Sequence, residues 1–329
     1  MSKTIVNWGV IGCAEIAEKS VIPGILAAEN ARLYAVSSRS AGSRLDDFRD
    51  RFSPVKAYTS YEELLEDPEI DAVYIPLPNS LHYEWTLKAA ESKKHILCEK
   101  PLGINAEEVK AMKAAADKNG VLLMEAFAYR HSPLTRKVKE LVDAGTIGKI
   151  KFMESHFSFI LNNPANVRLV SELGGGATYD IGCYNLNIIR YIIGSEPTRI
   201  TASGEVDHRT GVDMSSCIML EFEGGVKAVS YCSFACSPRV EYTIVGEAGY
   251  IHVPVVFNAA GDNTIKIVRN DGKEEIVIDC PHNYMLEVEQ FGRCILNGEK
   301  PLITYEESLG NAKTIDSVLE QIVPPAEMK

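Results

Sequence analysis

The sequence predicts an α/β domain built on a parallel sheet, followed by an α+β domain with a large, mainly antiparallel open sheet. Three observations carry this. Short apolar runs alternate with helical stretches up to about residue 125, the rhythm of right-handed βαβ crossovers. From residue 150 onward, long strand-like runs follow one another, separated by turn signals such as Glu223-Gly224-Gly225 and Asn270-Asp271-Gly272. The chain has 329 residues, more than the roughly 100–200 of a single domain. The two domains are expected to cover residues 1–125 and 126–329.

Each element has a local reason. Residues 5–11 form an apolar run that ends at Gly12, as a strand covered on both faces does. A helix spans 14–28, with Pro23 as a break or a new start. Strands at 32–38, 72–75, 95–98 and 121–125 alternate with helices at 41–51, 61–66, 81–92 and 106–119, while 55–58 is too short to assign. The second half holds strands at 150–159, 199–206, 213–222, 226–234, 240–245, 264–268 and 274–278. Its helices are expected at 134–144, 179–193, 285–296 and 306–322.

Composition excludes several classes. Asp and Glu number 45 against 34 Lys and Arg, a net charge of −11, which speaks against nucleic acid as a partner because phosphate binding rests on cationic side chains. No apolar run reaches the roughly 18 residues of a membrane span. The opening Met1-Ser2-Lys3-Thr4 leads straight into a strand without the pattern of a secretory signal. Eight cysteines lie scattered with no C-x-x-C pair, and the histidines show no metal-ligand spacing. A reduced, cytoplasmic protein without a metal site is expected.

The first strand runs into Gly12-Cys13-Ala14-Glu15-Ile16-Ala17. This is G-x-A-x-x-A, a relaxed dinucleotide fingerprint placed between a buried strand and a helix, which makes the first domain Rossmann-like. Gly12 permits the turn, Ala14 leaves the backbone open to a pyrophosphate, and Ala17 lets helix and strand approach. An NAD site normally ends its second strand with an acid that binds the ribose 2′-hydroxyl. Here the residues are Ser38-Arg39-Ser40, suited to a 2′-phosphate. NADP is therefore favoured over NAD, although an arginine stacked on the adenine of either cofactor, or simply solvated, also fits.

Two further segments, Pro78-Asn79-Ser80-Leu81-His82 and Glu99-Lys100-Pro101, together with the run from Gly174 to Tyr184 (GGGATYDIGCY), are specific enough to place the chain. It resembles the glucose–fructose oxidoreductase / inositol dehydrogenase (Gfo/Idh/MocA) family over essentially its whole length. The resemblance implies a Rossmann domain, a C-terminal open sheet, and oxidation or reduction of sugars, polyols or related diols. It implies that Lys100 contacts substrate and nicotinamide ribose, that Asn79 and Glu99 lie near the nicotinamide half of the cofactor, and that Pro78 is among the cofactor-binding residues. It also implies that Tyr184 holds the acid/base position, which is histidine in inositol dehydrogenases. Tyrosine there resembles the branch with dimeric dihydrodiol dehydrogenase and NADP-dependent xylose dehydrogenase. Asp180 matches an aspartate that positions substrate, and its i,i+4 spacing from Tyr184 puts both on one helical face. His82 is grouped with the cofactor-binding residues, as a cap or packing group beside the cleft. Tyr129-Arg130-His131 is given no role, since packing explains it equally well.

A catalytically silent NADP-binding sensor of the same fold is the alternative function; the presence of both Lys100 and Tyr184 argues for chemistry. The runs 215–222 and 226–234 show no convincingly polar alternating set. A homodimer formed through the outer face of the C-terminal sheet is therefore expected.

Overall fold

The structure is a computed structural model, and it describes residues 3–323. The chain divides into two compact units. The first contains residues 3–103, 107–131 and 281–308; the second contains 104–106, 132–280 and 309–323. The single crossing expected after residue 125 is thus replaced by a crossing after His131 and a later return of 281–308 to the first unit. The return has a packing cause: helix Asn283–Asn297 lies on helix Ile22–Ala27 and on the first strand, where Phe291 meets Trp8 at 5.9 Å between ring centroids.

The first unit is built on six parallel strands: β1 (Val6–Ile11), β2 (Ala31–Ser37), β3 (Lys56–Tyr58), β4 (Ala72–Ile75), β5 (His95–Glu99) and β6 (Leu123–Ala126). Their order is β3-β2-β1-β4-β5-β6, the doubly wound Rossmann arrangement whose direction reverses beside β1. Helices cover both faces, which is why Trp8, Val10 and Ile11 are wholly buried and β4 is buried at every position. The segment 55–58, too short to assign from its pattern, supplies edge strand β3. Pro23 starts helix Ile22–Ala27, and the turn before it, Ala17–Val21, is a π-helix.

The second unit carries eight strands: β7 (Ile150–Ile160), β8 (Arg199–Asp207), β9 (Val212–Glu221), β10 (Lys227–Ser233), β11 (Ala235–Gly246), β12 (Gly249–Val253), β13 (Gly261–Arg269) and β14 (Gly272–Cys280). Their order is β14-β13-β12-β11-β7-β10-β9-β8. Every pairing is antiparallel except β7 with β10. Strand β12 has no counterpart among the expected elements. Along β9, Ser216, Ile218 and Leu220 are buried while Cys217 and Met219 are exposed. The inner face is covered by helix Cys183–Ile193, which packs on β7 and β10, and by helix Pro133–Asp143, which packs on β13 and β14. Asn185 fixes the first of these to the sheet: its Oδ1 accepts from Ser155 Oγ at 2.8 Å and its Nδ2 donates to the Tyr231 carbonyl at 2.9 Å.

Candidate active site

In the first unit the relevant residues gather at the C-terminal ends of the parallel strands. Gly12 follows β1 with φ +104°, and a Cβ there would lie 2.9 Å from Leu77 Cδ2 and 3.3 Å from the Tyr61 hydroxyl. Only glycine fits that conformation and that space. Its N–H donates to the Ser37 carbonyl at 3.0 Å, pinning the turn to the end of β2. Cys13, Ala14 and Ile16 are half-buried and Glu15 is exposed. Burial pushes the Cys13 thiol up to about 11, so it stays neutral.

Ser38 donates its N–H to the Tyr58 carbonyl at 3.1 Å, while Arg39 and Ser40 are exposed. The Arg39 charge reaches the Tyr61 hydroxyl, the group that borders Gly12. Sequence reasoning missed a second guanidinium: Arg44 Nε donates to the Cys13 carbonyl at 3.1 Å and its Nη2 pairs with Glu18 at 2.5 Å. Only the fold brings residue 44 to the glycine turn. A backbone turn that excludes a side chain, flanked by two arginines, suits a dinucleotide carrying a 2′-phosphate.

Lys100, half-buried, follows β5, and its N–H donates to Glu99 Oε2 at 3.3 Å. Glu99 is buried and accepts from the Tyr74 hydroxyl at 2.5 Å. Glu287 on helix Asn283–Asn297 is wholly buried, and burial, followed by the charge of Glu99, pushes its carboxyl well above the usual range. Nothing local in the sequence pairs residues 99 and 287.

Pro78 and Asn79 are half-buried at the 3-10 turn Asn79–Leu81. His82 is wholly buried, with Nδ1 2.9 Å from the Pro101 carbonyl and Nε2 2.8 Å from the Leu77 carbonyl. Burial, aided by the Lys100 charge, holds the imidazole down to about 4 against the pull of those carbonyls. A neutral ring has one N–H, so one of these two carbonyls accepts it, and both ring nitrogens face loops of the protein itself. Tyr129, Arg130 and His131 are buried within the first unit, where Arg130 pairs with Glu307 at 2.8 Å.

In the second unit, Asp180 lies in a π-helical turn, Thr178–Gly182, that runs directly into helix Cys183–Ile193 carrying Tyr184. Sequence periodicity predicts one continuous helix here; the structure widens its first turn, a departure common at functional sites. The Tyr184 ring lies 5.7 Å from Phe157 and 4.8 Å from Phe257, and those two rings stack at 5.4 Å. Asp180 Oδ2 accepts from Arg168 Nε at 2.5 Å. Tyr179 donates its hydroxyl to the Ile104 carbonyl at 2.6 Å. Arg168 and Phe257 were both missed in the sequence, because each lies in a segment without periodicity. The site residues therefore form two groups, Gly12 to Lys100 in the first unit and Asp180 with Tyr184 in the second.

Comparison with known proteins agrees with both halves. A model of the oxidoreductase family with an NAD-binding Rossmann fold matches residues 6–127, and a GFO/IDH/MocA C-terminal domain model matches residues 135–252. D-xylose 1-dehydrogenase (NADP(+)) 2 of Haloferax volcanii is 37% identical over 95% of this chain and 96% of its own. The chain belongs to the Gfo/Idh/MocA family. Among Gfo/Idh/MocA relatives it is also similar to trans-1,2-dihydrobenzene-1,2-diol dehydrogenase of Xenopus tropicalis, 32% identical over 96% of this chain and 98% of the relative. The solved structure of KijD10, a 3-ketoreductase from Actinomadura kijaniata in complex with NADP and TDP-benzene, superposes with a TM-score of 0.92 at 29% identity, covering 97% of this chain and 98% of that one.

Proposed function

We propose that the protein is an NADP-dependent oxidoreductase that moves a hydride between nicotinamide and a carbon of a sugar, polyol or vicinal diol. The observation that carries this reading is the Gly12 turn with Arg39 and Arg44 beside it, at the reversal point of a parallel sheet whose next two strands are followed by Asn79 and Lys100. When bound, NADP supplies the hydride acceptor or donor. Gly12, Cys13, Ala14, Glu15 and Ile16 hold the pyrophosphate, Ser38, Arg39 and Ser40 the 2′-phosphate, and Pro78, Asn79 and Glu99 the nicotinamide half. His82 serves the cofactor indirectly, by bracing the Leu77 and Pro101 loops.

Lys100 donates from its ammonium to the reacting substrate oxygen and offsets the charge that develops there. As a phenolate, Tyr184 takes the hydroxyl proton in oxidation; as the phenol it returns that proton in reduction. Asp180, held by Arg168, orients the neighbouring substrate hydroxyl, and the Phe157–Phe257 stack gives sugar C–H faces an apolar wall. The relatives support this: the Haloferax protein is named as an NADP(+) enzyme acting on D-xylose, and solved variants of KijD10 replace one lysine and one tyrosine, the residue types assigned here. The test is a panel of aldoses, ketoses and diols with NADP and NADPH, read by nicotinamide absorbance. Turnover with a hydroxyl or carbonyl substrate is expected; silence across the panel despite tight NADP binding would replace the enzyme with a sensor.

We further propose that the protein is a cytoplasmic homodimer joined through the outer face of the second unit's sheet. Cys217, Met219 and Tyr250 are exposed there, with Phe152, Val229, Tyr231 and Val245 half-exposed around them. Glu154 sits among them on the central strand, between Val229 and Thr243, and Lys227 and Lys266 lie farther out, so the face mixes apolar and charged groups as a non-obligate partner surface does. All eight cysteines are unpaired, as in a reducing compartment.

A further inference from the structure

The helical turn that carries Asp180 starts on a buried carboxylate outside the site described so far. Asp213 on β9 is almost wholly buried, and its Oδ2 accepts from both the Thr178 N–H and the Thr178 hydroxyl, each at 2.7 Å. Helix amino ends leave N–H groups without intrahelical partners, and an anion there is favoured by the helix dipole. The pairing spans 35 residues of sequence, so it is a tertiary clamp and not a local cap.

The surroundings are shaped for it. Gly176 has φ +123°, and a Cβ at that position would lie 2.1 Å from Asp213 Oδ1. The third glycine of the Gly174-Gly175-Gly176 run is thus glycine because the carboxylate occupies the space a side chain would need. The hydroxyls of Thr178 and Ser216 lie 3.0 Å apart, and Ser216 Oγ lies 3.0 Å from Cys232 Sγ. Thr178 has one hydroxyl proton. When it goes to Asp213, Ser216 donates to Thr178 and the Cys232 thiol donates to Ser216, so the chain of donors ends on the carboxylate.

We propose that Asp213 is the positioning residue for Asp180 and Tyr184: as an anion it clamps the first turn of the helix on which both stand. This rests on the reading of those two residues given above. The clamp exacts a cost in stability, because burial raises the Asp213 carboxyl to about 6. Between the ordinary value of about 3.8 and 6 the folded protein holds a proton that the unfolded chain releases, so stability falls as pH rises through that window. At neutral pH the anion is therefore a burden on the fold, retained in a place where its hydrogen bonds fix a functional turn.

The groups around Asp213 leave the titration to it. From β10, Cys232 is pushed up to about 12 and stays neutral. On the helical turn, Asp180 is ion-paired to Arg168. On β8, Val206 lies opposite Asp213, with Asp207 bound by Arg209 and Glu205 exposed.

The test uses the full chain as Asp213→Asn and Thr178→Val. Asparagine keeps the shape and one acceptor but loses the charge. Asp213→Asn is expected to lower kcat tenfold or more on the best substrate, leave the KM for NADPH within twofold, and melt at or above the wild-type temperature at neutral pH. In the wild type, kcat should fall below about pH 6, and this acid limb should vanish in Asp213→Asn. Thr178→Val should lower kcat without removing the limb. A second readout needs no activity: at neutral pH, amide exchange of residues 174–184 should be faster in Asp213→Asn and in Thr178→Val than in the wild type, because the clamp loses its charged acceptor in the first and its hydroxyl donor in the second. If no substrate is turned over, the functional reading fails and exchange alone decides the clamp. Wild-type kcat and pH profile in Asp213→Asn, or exchange of residues 174–184 as slow in Asp213→Asn as in the wild type, overturns the proposal. So does a kcat loss matched by an equal loss of folded protein.

Discussion

Arg168 and Asp180 form an ion pair, Nε to Oδ2 at 2.5 Å, that ties the segment before the glycine run to the first helical turn after it. The arginine side chain is 39% exposed and the aspartate 14%, a setting in which such a pair adds at most about 1 kcal/mol to folding. Its effect belongs to geometry. Arg168→Met is expected to leave the melting temperature nearly unchanged and to lower kcat/KM for substrate roughly tenfold, about 1.4 kcal/mol in transition-state binding. A variant with unchanged kcat/KM would show that Asp180 holds its place without the arginine.

Cofactor choice should follow Arg39. Loss of a charge-assisted bond to a phosphate removes about 1.5–3 kcal/mol, so Arg39→Ala is expected to weaken NADP roughly 10- to 100-fold and NAD by twofold or less. Fluorescence titration with both cofactors measures this. Equal losses for the two would place the guanidinium on the adenine.

Tyr184→Phe retains the ring against Phe157 and Phe257 and removes the hydroxyl alone. Turnover should drop by about 10²–10⁴, the range for a general acid–base group, with NADP affinity intact. Lys100→Met should be at least as damaging to turnover. Near wild-type rates in Tyr184→Phe would assign the tyrosine to packing.

The His82 imidazole gives a pH dependence of defined sign. Folding lowers it to about 4, from an ordinary value of about 6.5. The folded state therefore binds fewer protons than the unfolded one in that interval, and stability is lost as pH falls from about 6.5 toward 4. His131, buried and held down to about 3, acts in the same direction. Urea midpoints between pH 7.5 and 4.5 should fall more steeply for the wild type than for His82→Gln, although the variant starts lower because the buried ring is lost from its packing between the Leu77 and Pro101 carbonyls. Parallel curves would mean that His82 titrates in the fold as it does in the unfolded chain.

For the dimer, Met219→Lys places a charge on an exposed position of the sheet's outer face. Sedimentation at micromolar concentration should change from dimer for the wild type to monomer for the variant, with the spectrum of the folded chain retained. A monomeric wild type removes the assembly.

Most strands were legible because covered strands write unbroken apolar runs and one-sided strands write alternation; β4 reads AVYI and is buried throughout. β12 was not, since Gly249–Val253 is short and opens with glycine. Gly12 and Lys100 were legible as local motifs at strand ends. Arg44, Arg168, Phe257 and Glu287 carry no local signature, because each matters through a partner distant in sequence that the fold brings near. The π turn at Thr178–Gly182 escaped for another reason: its side-chain spacing differs too little from that of an α-helix for five residues to reveal it.

The return of helix Asn283–Asn297 to the first unit sets the order in which this protein can be made. Trp8 lies in the first strand, and the Phe291 ring beside it is among the last parts of the unit to be synthesised. A nascent chain that has emerged only to residue 131 carries all six parallel strands yet lacks that helix, so an apolar face stays open while the whole second sheet is translated. Excised alone, residues 1–131 should be sticky and poorly soluble, and a fragment complementing them in trans would have to bring back 281–308.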